Sequence, residues 1–258
     1  MLISAVIITK NEERIIGRSL EALQQVADEV IIIDSESTDR TVEIAESMGA
    51  KVFIQQWRGF GPQKNFGNAK AVHNYILALD ADEVLTKQAI AEINELKKTG
   101  LHGVYQFKLI HFYFGKFLRH GMETPGYKKR LFDKTVVSWN ENAVHEALII
   151  PDGYPVVNAR GYIEHYSYDS IEHYMTKANY YTTVAARELK SKGRKNYYIK
   201  MLFSPAFVFF KAYFLKMGFL DGLHGFITAV FNSRTNFLKY AKLWELYRNE
   251  KLHKDQIK

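Results

Sequence analysis

Two short runs near the N-terminus, Leu2-Ile-Ser-Ala-Val-Ile-Ile8 and Glu29-Val-Ile-Ile-Ile33, decide the fold class. Both are nearly continuous in aliphatic and β-branched residues, the composition of parallel strands covered on both faces. Between them, residues 12–25 place Ile15, Ile16, Leu20 and Leu23 at helical spacing. After the second run, residues 38–48 repeat that pattern with Val42, Ile44, Ala45 and Met48, and Gly49 ends it. A third strand is predicted at 51–55. The order β-α-β-α-β is half of a doubly wound sheet, whose ligands sit outside the carboxyl ends of its strands. A fourth strand, 75–79, runs into Asp80-Ala-Asp-Glu83, and 86–98 predicts another helix.

Beyond Gly100 the pattern changes. Residues 103–111, 127–132, 136–139, 144–150 and 156–165 read as strands without crossover helices, a largely antiparallel extension. From Asp169 the chain turns helical, in three predicted segments at 170–192, 197–215 and 220–249. The expected architecture is an α/β domain over 1–168, divided into halves at 1–100 and 101–168. A helical, basic, aromatic-rich region follows over 169–258.

Composition narrows the chemistry. The 258 residues contain no cysteine, which excludes a thiolate metal site, an iron–sulfur cluster and a cysteine nucleophile. The net charge of +7 is unevenly spread: residues 187–258 hold 15 Lys+Arg against 5 Asp+Glu, leaving the rest at −3. The same 72-residue stretch carries 15 aromatic residues. A basic, aromatic helical region suits an anionic membrane interface; it also permits RNA binding, although no single-strand-binding motif accompanies it. A crossing helix needs about 20 apolar residues. The nearest run, Met201–Phe210, contains Ser204 and Pro205 and stops at Lys211, so no crossing helix is predicted. Leu2–Ile8 lacks the basic flank of a secretion signal, which predicts a cytoplasmic protein with peripheral membrane contact.

The strand ends carry acids: Thr9-Lys-Asn-Glu12, Asp34-Ser-Glu-Ser-Thr-Asp39 and Asp80-Ala-Asp-Glu83. Neither a GxGxxG nor a GxxxxGK[ST] phosphate loop is present, which argues against dinucleotide oxidoreductases and P-loop NTPases. Asp80 and Asp82 offer hard oxygen ligands to Mg²⁺ or Mn²⁺, which could bridge a nucleotide diphosphate. The plainer reading of the same pair is an acidic turn before a helix capped at Thr86. Asp34 could accept a base N–H or a ribose hydroxyl, with Ser37 capping the helix that follows.

Taken in order, Val6-Ile-Ile-Thr-Lys-Asn-Glu12, Ile33-Asp-Ser-Glu-Ser-Thr-Asp39, Gly61-Pro-Gln-Lys-Asn65 and Leu79-Asp-Ala-Asp-Glu83 resemble an inverting family 2 glycosyltransferase of the GT-A fold. Arg130-Leu-Phe132, Val144-His-Glu146, His165-Tyr-Ser167 and Gly218-Phe-Leu-Asp-Gly222 extend the likeness toward bacterial lipopolysaccharide-core glucosyltransferases. The resemblance implies that Thr9, Asn11, Glu12 and Asp34 line a nucleoside pocket and that Gln63, Lys64 and Asn65 approach the nucleotide or its phosphates. It implies that Asp80 faces the ribose or metal shell and that Asp82 binds the metal. Many members carry Asp-Asp-Gly-Ser where this chain has Asp34-Ser-Glu-Ser37, without the second acid and the glycine.

The same likeness makes Glu146 the base that takes the acceptor hydroxyl's proton, with Asp133 and Glu141 as weaker candidates. Strand alternation would set His145 and Glu146 on opposite faces. His145 and His165 are candidates near the metal or acceptor, and Arg130, with Lys128 and Lys129, near acceptor phosphates. The expected activity is metal-dependent transfer of a hexose, glucose from UDP-glucose, to a lipopolysaccharide-core or related glycolipid. The enzyme would work peripherally on the cytoplasmic face of the inner membrane, against anionic lipid and without nucleic acid. Two other readings stay open: a sugar nucleotidyltransferase, and a non-enzymatic membrane- or nucleic-acid-binding module.

Overall fold

A computed structural model describes residues 1–141 and 146–256, the last four by backbone alone. The chain forms two compact units. One comprises Met1–Ile110 with Gly126–Tyr166; the other comprises His111–Pro125 with Ser167–Lys258.

The first unit is built on parallel strands β1 (Ile3–Thr9), β2 (Glu29–Asp34), β3 (Lys51–Ile54) and β4 (Tyr75–Asp80), in the order β3-β2-β1-β4. Helices α1 (Ile16–Leu23), α2 (Thr41–Ser47) and α3 (Phe60–Lys70) connect them. Every residue of β1 is buried, as are Ile31, Ile32 and Ile33 of β2, so the continuous apolar runs follow from coverage on both faces. Register pairs Thr9 with Asp34 and Ile8 with Asp80, bringing three polar strand ends to one edge.

The sheet then turns antiparallel. After β5 (Glu83–Leu85) and α4 (Lys87–Thr99) come β6 (Val104–Tyr113), β7 (Lys116–Leu118), β8 (Gly126–Asp133), the short pair β9 (Ser138–Trp139) and β10 (Leu148–Ile149), and β11 (Val156–Tyr168). Beside β4 lie β8, β6, β11 and β5 in that order, with β8 antiparallel to β4. The α/β doubly wound half with an antiparallel extension is therefore as expected.

Several local expectations change. Helix α3 was not foreseen: its sequence Phe-Gly-Pro-Gln-Lys-Asn-Phe-Gly-Asn-Ala-Lys has no apolar stripe. It packs instead through Gly67, where an added Cβ would lie 2.4 Å from Val6 Cγ1 and 3.0 Å from Ile33 Cγ1. Ala81 and Asp82 do form a turn and Thr86 does cap α4 by accepting from Ala89 N, but a short strand, residues 83–85, lies between them. Helix α2 begins at Thr41, so Ser37 is not its cap; Asp39 Oδ1 accepts from Thr41 N at 3.0 Å instead. The strand expected over 144–150 is confined, among the described residues, to Leu148–Ile149.

The second unit contains α5 (Ile171–Ser191), α6 (Tyr197–Phe210) and α7 (Leu223–Gln256), together with the hairpin of β7 against the end of β6. Helix α6 continues through a π-helical turn, Lys211–Leu215. The combined run of 19 residues, mean hydropathy 1.3, is long and apolar enough to cross a membrane. The helix predicted over 197–215 is thus observed; counting its apolar run only from Met201 to Phe210 understated it, because one lysine does not end an apolar stretch whose next turn is Ala-Tyr-Phe-Leu.

α6 runs antiparallel to α7, with Tyr197 stacked on Tyr247, Ser204 Oγ bonded to Asn236, and Phe209 against Phe226. The connection closes tightly. Asp221, buried, accepts from Arg119 N at 2.9 Å and His120 N at 2.8 Å, and its other oxygen meets His120 Nδ1 at 3.2 Å.

Candidate active site

The loops after β1 and β2 are stitched together by side chains from both. Asn11, in the left-handed region at φ 54°, donates its N–H to Ser37 Oγ, and its Oδ1 accepts from Thr38 N. Glu12 N donates to Thr41 Oγ1, while Glu13 and Arg40 complete a further reciprocal pair with Asp39 and Glu13. Asp34 is fully buried and accepts from Ser37 N at 2.8 Å and Ser37 Oγ at 2.5 Å. Ser37 therefore braces Asp34 rather than a helix end. Glu36, standing where the family's glycine falls, takes φ 60°. The turn thus uses a left-handed residue at this position, at the strain cost a side chain bears there. Thr9 Oγ1 and Gln63 Oε1 are buried beside these loops without a hydrogen-bond partner among the described residues.

Farther along the same edge, opposite charges interlock. Lys64 of α3 is 2% exposed, and its Nζ lies 3.0 Å from both Asp80 Oδ1 and Glu146 Oε1, over the Trp139 ring. Arg130 of β8 reaches Asp80 Oδ2 at 3.0 Å and pairs with Glu83. His165 of β11 donates from Nε2 to Asp82 Oδ2 at 3.1 Å. Burial alone would raise the Asp80 carboxyl, but Lys64 and Arg130 outweigh it and hold it well below the carboxylate range. Burial likewise works against a charged His165, yet its bond to Asp82 and the nearby acids push it up to about 9. Glu83 is raised, chiefly by burial and also by Asp80, against the pull of Arg130.

Asp80, Glu83, Arg130, Trp139, Glu146 and His165 line a cavity of about 400 Å³, to which Tyr127, Lys128 and Lys129 also contribute. A smaller cleft of about 270 Å³ lies at the opposite edge, but its acids Asp28 and Glu29 are already paired with Lys97 and Lys51. The chemistry belongs to the carboxyl edge.

The residues named from the sequence fall along this edge in two groups: Thr9, Asn11, Glu12, Asp34 and Gln63 about the loops after β1 and β2, and Lys64, Asp80, Asp82, Arg130, Glu146 and His165 in the ion-pair cluster. Asn65 stands nearby as a brace: it donates to Trp139 O and Glu141 Oε1, and accepts from Trp139 N. Asp133 is engaged with Thr135 N and Oγ1. His145 lies outside the described residues. Two residues of the cluster were not singled out from the sequence: Glu83, inside a motif already quoted, and Trp139, noted only as the end of a predicted strand.

Among the described residues no three His, Asp or Glu side chains gather as a metal cage. Asp82, with one oxygen committed to His165, fits a cation that takes its remaining ligands from phosphates, the usual mode for Mg²⁺.

A doubly wound sheet whose carboxyl edge gathers these acids and cations, joined to an antiparallel extension, defines a glycosyltransferase of the GT-A type. The chain belongs to glycosyl transferase family 2, whose model matches residues 4–149. It is 36% identical over 261 residues to a glycosyltransferase of Rickettsia bellii, covering 95% of this chain and 86% of the relative. It is 28% identical over 254 residues to the lipopolysaccharide core biosynthesis glycosyltransferase LpsC of Rhizobium meliloti, covering 94% and 92%. Among solved structures, Staphylococcus aureus TarS in complex with UDP aligns at 15% identity over 97% of this chain and 92% of that one, with a TM-score of 0.47.

Proposed function

We propose that this glycosyltransferase moves a hexose, glucose from UDP-glucose, onto a lipopolysaccharide-core or related glycolipid acceptor, with inversion at the anomeric carbon. The likeness to LpsC along nearly its whole length supports the acceptor class. The observation that carries the mechanism is the single cation Lys64 placed 3.0 Å from both Asp80 and Glu146. It sets the candidate base on the wall of the cavity that Asp80 and Glu83 also line.

Glu146 accepts the acceptor hydroxyl's proton as that oxygen bonds to the anomeric carbon. The bond from that carbon to the β-phosphate oxygen breaks, and UDP leaves with the electron pair. Thr9, Asn11, Glu12 and Asp34 form the nucleoside side of the site, and Gln63, Lys64 and Asn65 its phosphate side. Arg130, Lys128, Lys129 and His165 serve the metal and acceptor side. Asp82, with Asp80 in the outer shell, would hold Mg²⁺ or Mn²⁺, which supplies positive charge to the diphosphate. The basic helical region works against anionic lipid on the cytoplasmic face of the inner membrane.

Thermal unfolding with UDP, GDP, ADP or CMP, each with and without Mn²⁺, tests the donor. A ligand that binds only the folded protein raises its midpoint. UDP is expected to do so, and more strongly with Mn²⁺. A shift with another nucleotide alone would replace the donor, and no shift with any would remove the transferase mechanism.

A further inference from the structure

The outer face of α6 has no protein against it. The helix contains no buried side chain, and Phe203 is 70% exposed. Ile199, Leu202, Phe207, Phe210 and Phe214 are also exposed, and most recur at three- or four-residue spacing along one face. No charge interrupts residues 201–210, and Lys200 and Lys211 stand at the two ends. A contiguous apolar surface of this kind marks an interaction site.

We propose that this face inserts into the hydrocarbon of a single bilayer leaflet, α6 lying along the membrane plane, so that apolar burial holds the enzyme on the membrane. The proposal deepens the glycolipid reading, on which it rests for the choice of a membrane. Two observations favour lipid over a second copy of the chain. A symmetric dimer would set this face against itself and bring together two regions whose 187–258 segments each carry +10. The same charge is complementary to anionic headgroups.

A third observation limits the depth. α6 is bonded along its inner side to α7, through Ser204 with Asn236 and Ser233 with the Pro205 carbonyl. Crossing would draw Arg234, Lys239 and Lys242 of α7 into hydrocarbon, where each unpaired charge is costly. Lying flat, residues 199–214 extend about 22 Å at the helical rise and need no such burial.

The chain has no cysteine, so single cysteines report without background. Full-length protein is floated with neutral phosphatidylcholine vesicles and with vesicles containing phosphatidylglycerol. Each is tested at low salt and at about 1 M NaCl, where the screening length falls to ~3 Å. Binding is expected to survive high salt and to persist on neutral vesicles. The triple variant Phe203→Ser, Phe207→Ser, Phe210→Ser should bind at least tenfold less. A polarity-sensitive dye on Phe207→Cys should shift to the blue on vesicles, while the same dye on Lys98→Cys should not.

Complete release by salt, an unshifted dye at 207, or a dimer that the triple variant abolishes would each overturn insertion. The UDP-dependent thermal shift is measured on the same preparations. Its presence without vesicle binding overturns insertion alone, and its absence with salt-resistant binding overturns the transferase reading alone.

Discussion

Lys64 governs the site at the level of single residues. Its one ammonium pairs with both Asp80 and Glu146; without it Asp80 would keep Arg130, while the half-buried Glu146 would lose its cation. Lys64→Met should therefore lower stability by about 1–3 kcal/mol, read by urea unfolding, and should abolish UDP-dependent stabilisation. Glu146→Gln keeps a hydrogen-bond acceptor but cannot take a proton. Its expected phenotype is an unchanged UDP shift with turnover down about 10²–10⁴-fold; near-normal turnover would move the base elsewhere. Asp34 and Asp80 were legible because each ends a buried aliphatic run, where solvation alone would not place an acid so regularly, and Asp82 because it follows two residues later. Glu83 and Trp139 were not, because their roles depend on Arg130 and Lys64, which arrive from distant parts of the chain.

Among the elements, α3 and the connection into α7 were hardest to foresee, since both are held by close backbone approach rather than by an apolar stripe. Gly67 lets α3 settle on β1 and β2, which is how Gln63 and Lys64 reach the edge of the sheet. Gly67→Val should cost roughly 1–3 kcal/mol as an overpacked contact and weaken UDP binding. A variant of wild-type stability and affinity would show that α3 can shift without consequence. Asp221 plays the matching part in the second unit. Asp221→Ala strands two backbone N–H groups, at about 1–3 kcal/mol each, and should lower the thermal midpoint without removing the UDP shift. The long strands and α4 to α7 were readable because their periodic patterns are local; the positions of turns and short strands were not.

Across the whole molecule, the ionisable groups set opposite limits in pH. Asp28, Glu29, Asp39, Asp80 and Asp221 all have lowered folded values: hydrogen bonds, and for most of them nearby cations, outweigh the effect of burial. Their stabilisation is present above the unfolded carboxylate range of about 4 and is lost as pH falls through the folded values. Glu83, raised by burial, works against that trend. His165 has the opposite sign: its contribution is complete below the unfolded value of about 6.5 and fades as pH rises through about 9. Donor-free protein should be most stable between about pH 5 and 7, with an alkaline limb that His165→Gln flattens.

The interlocked charges that set these limits also bear on the catalytic cycle. Lys64 and Arg130 each carry carboxylate counter-ions supplied by the protein itself. On the proposed reading, a diphosphate reaching Lys64 would have to compete with Asp80 and Glu146 for it, and those acids would reclaim the cation as the spent nucleotide departs. The protein would then hold a tethered competitor for its own product, a device that favours release over retention.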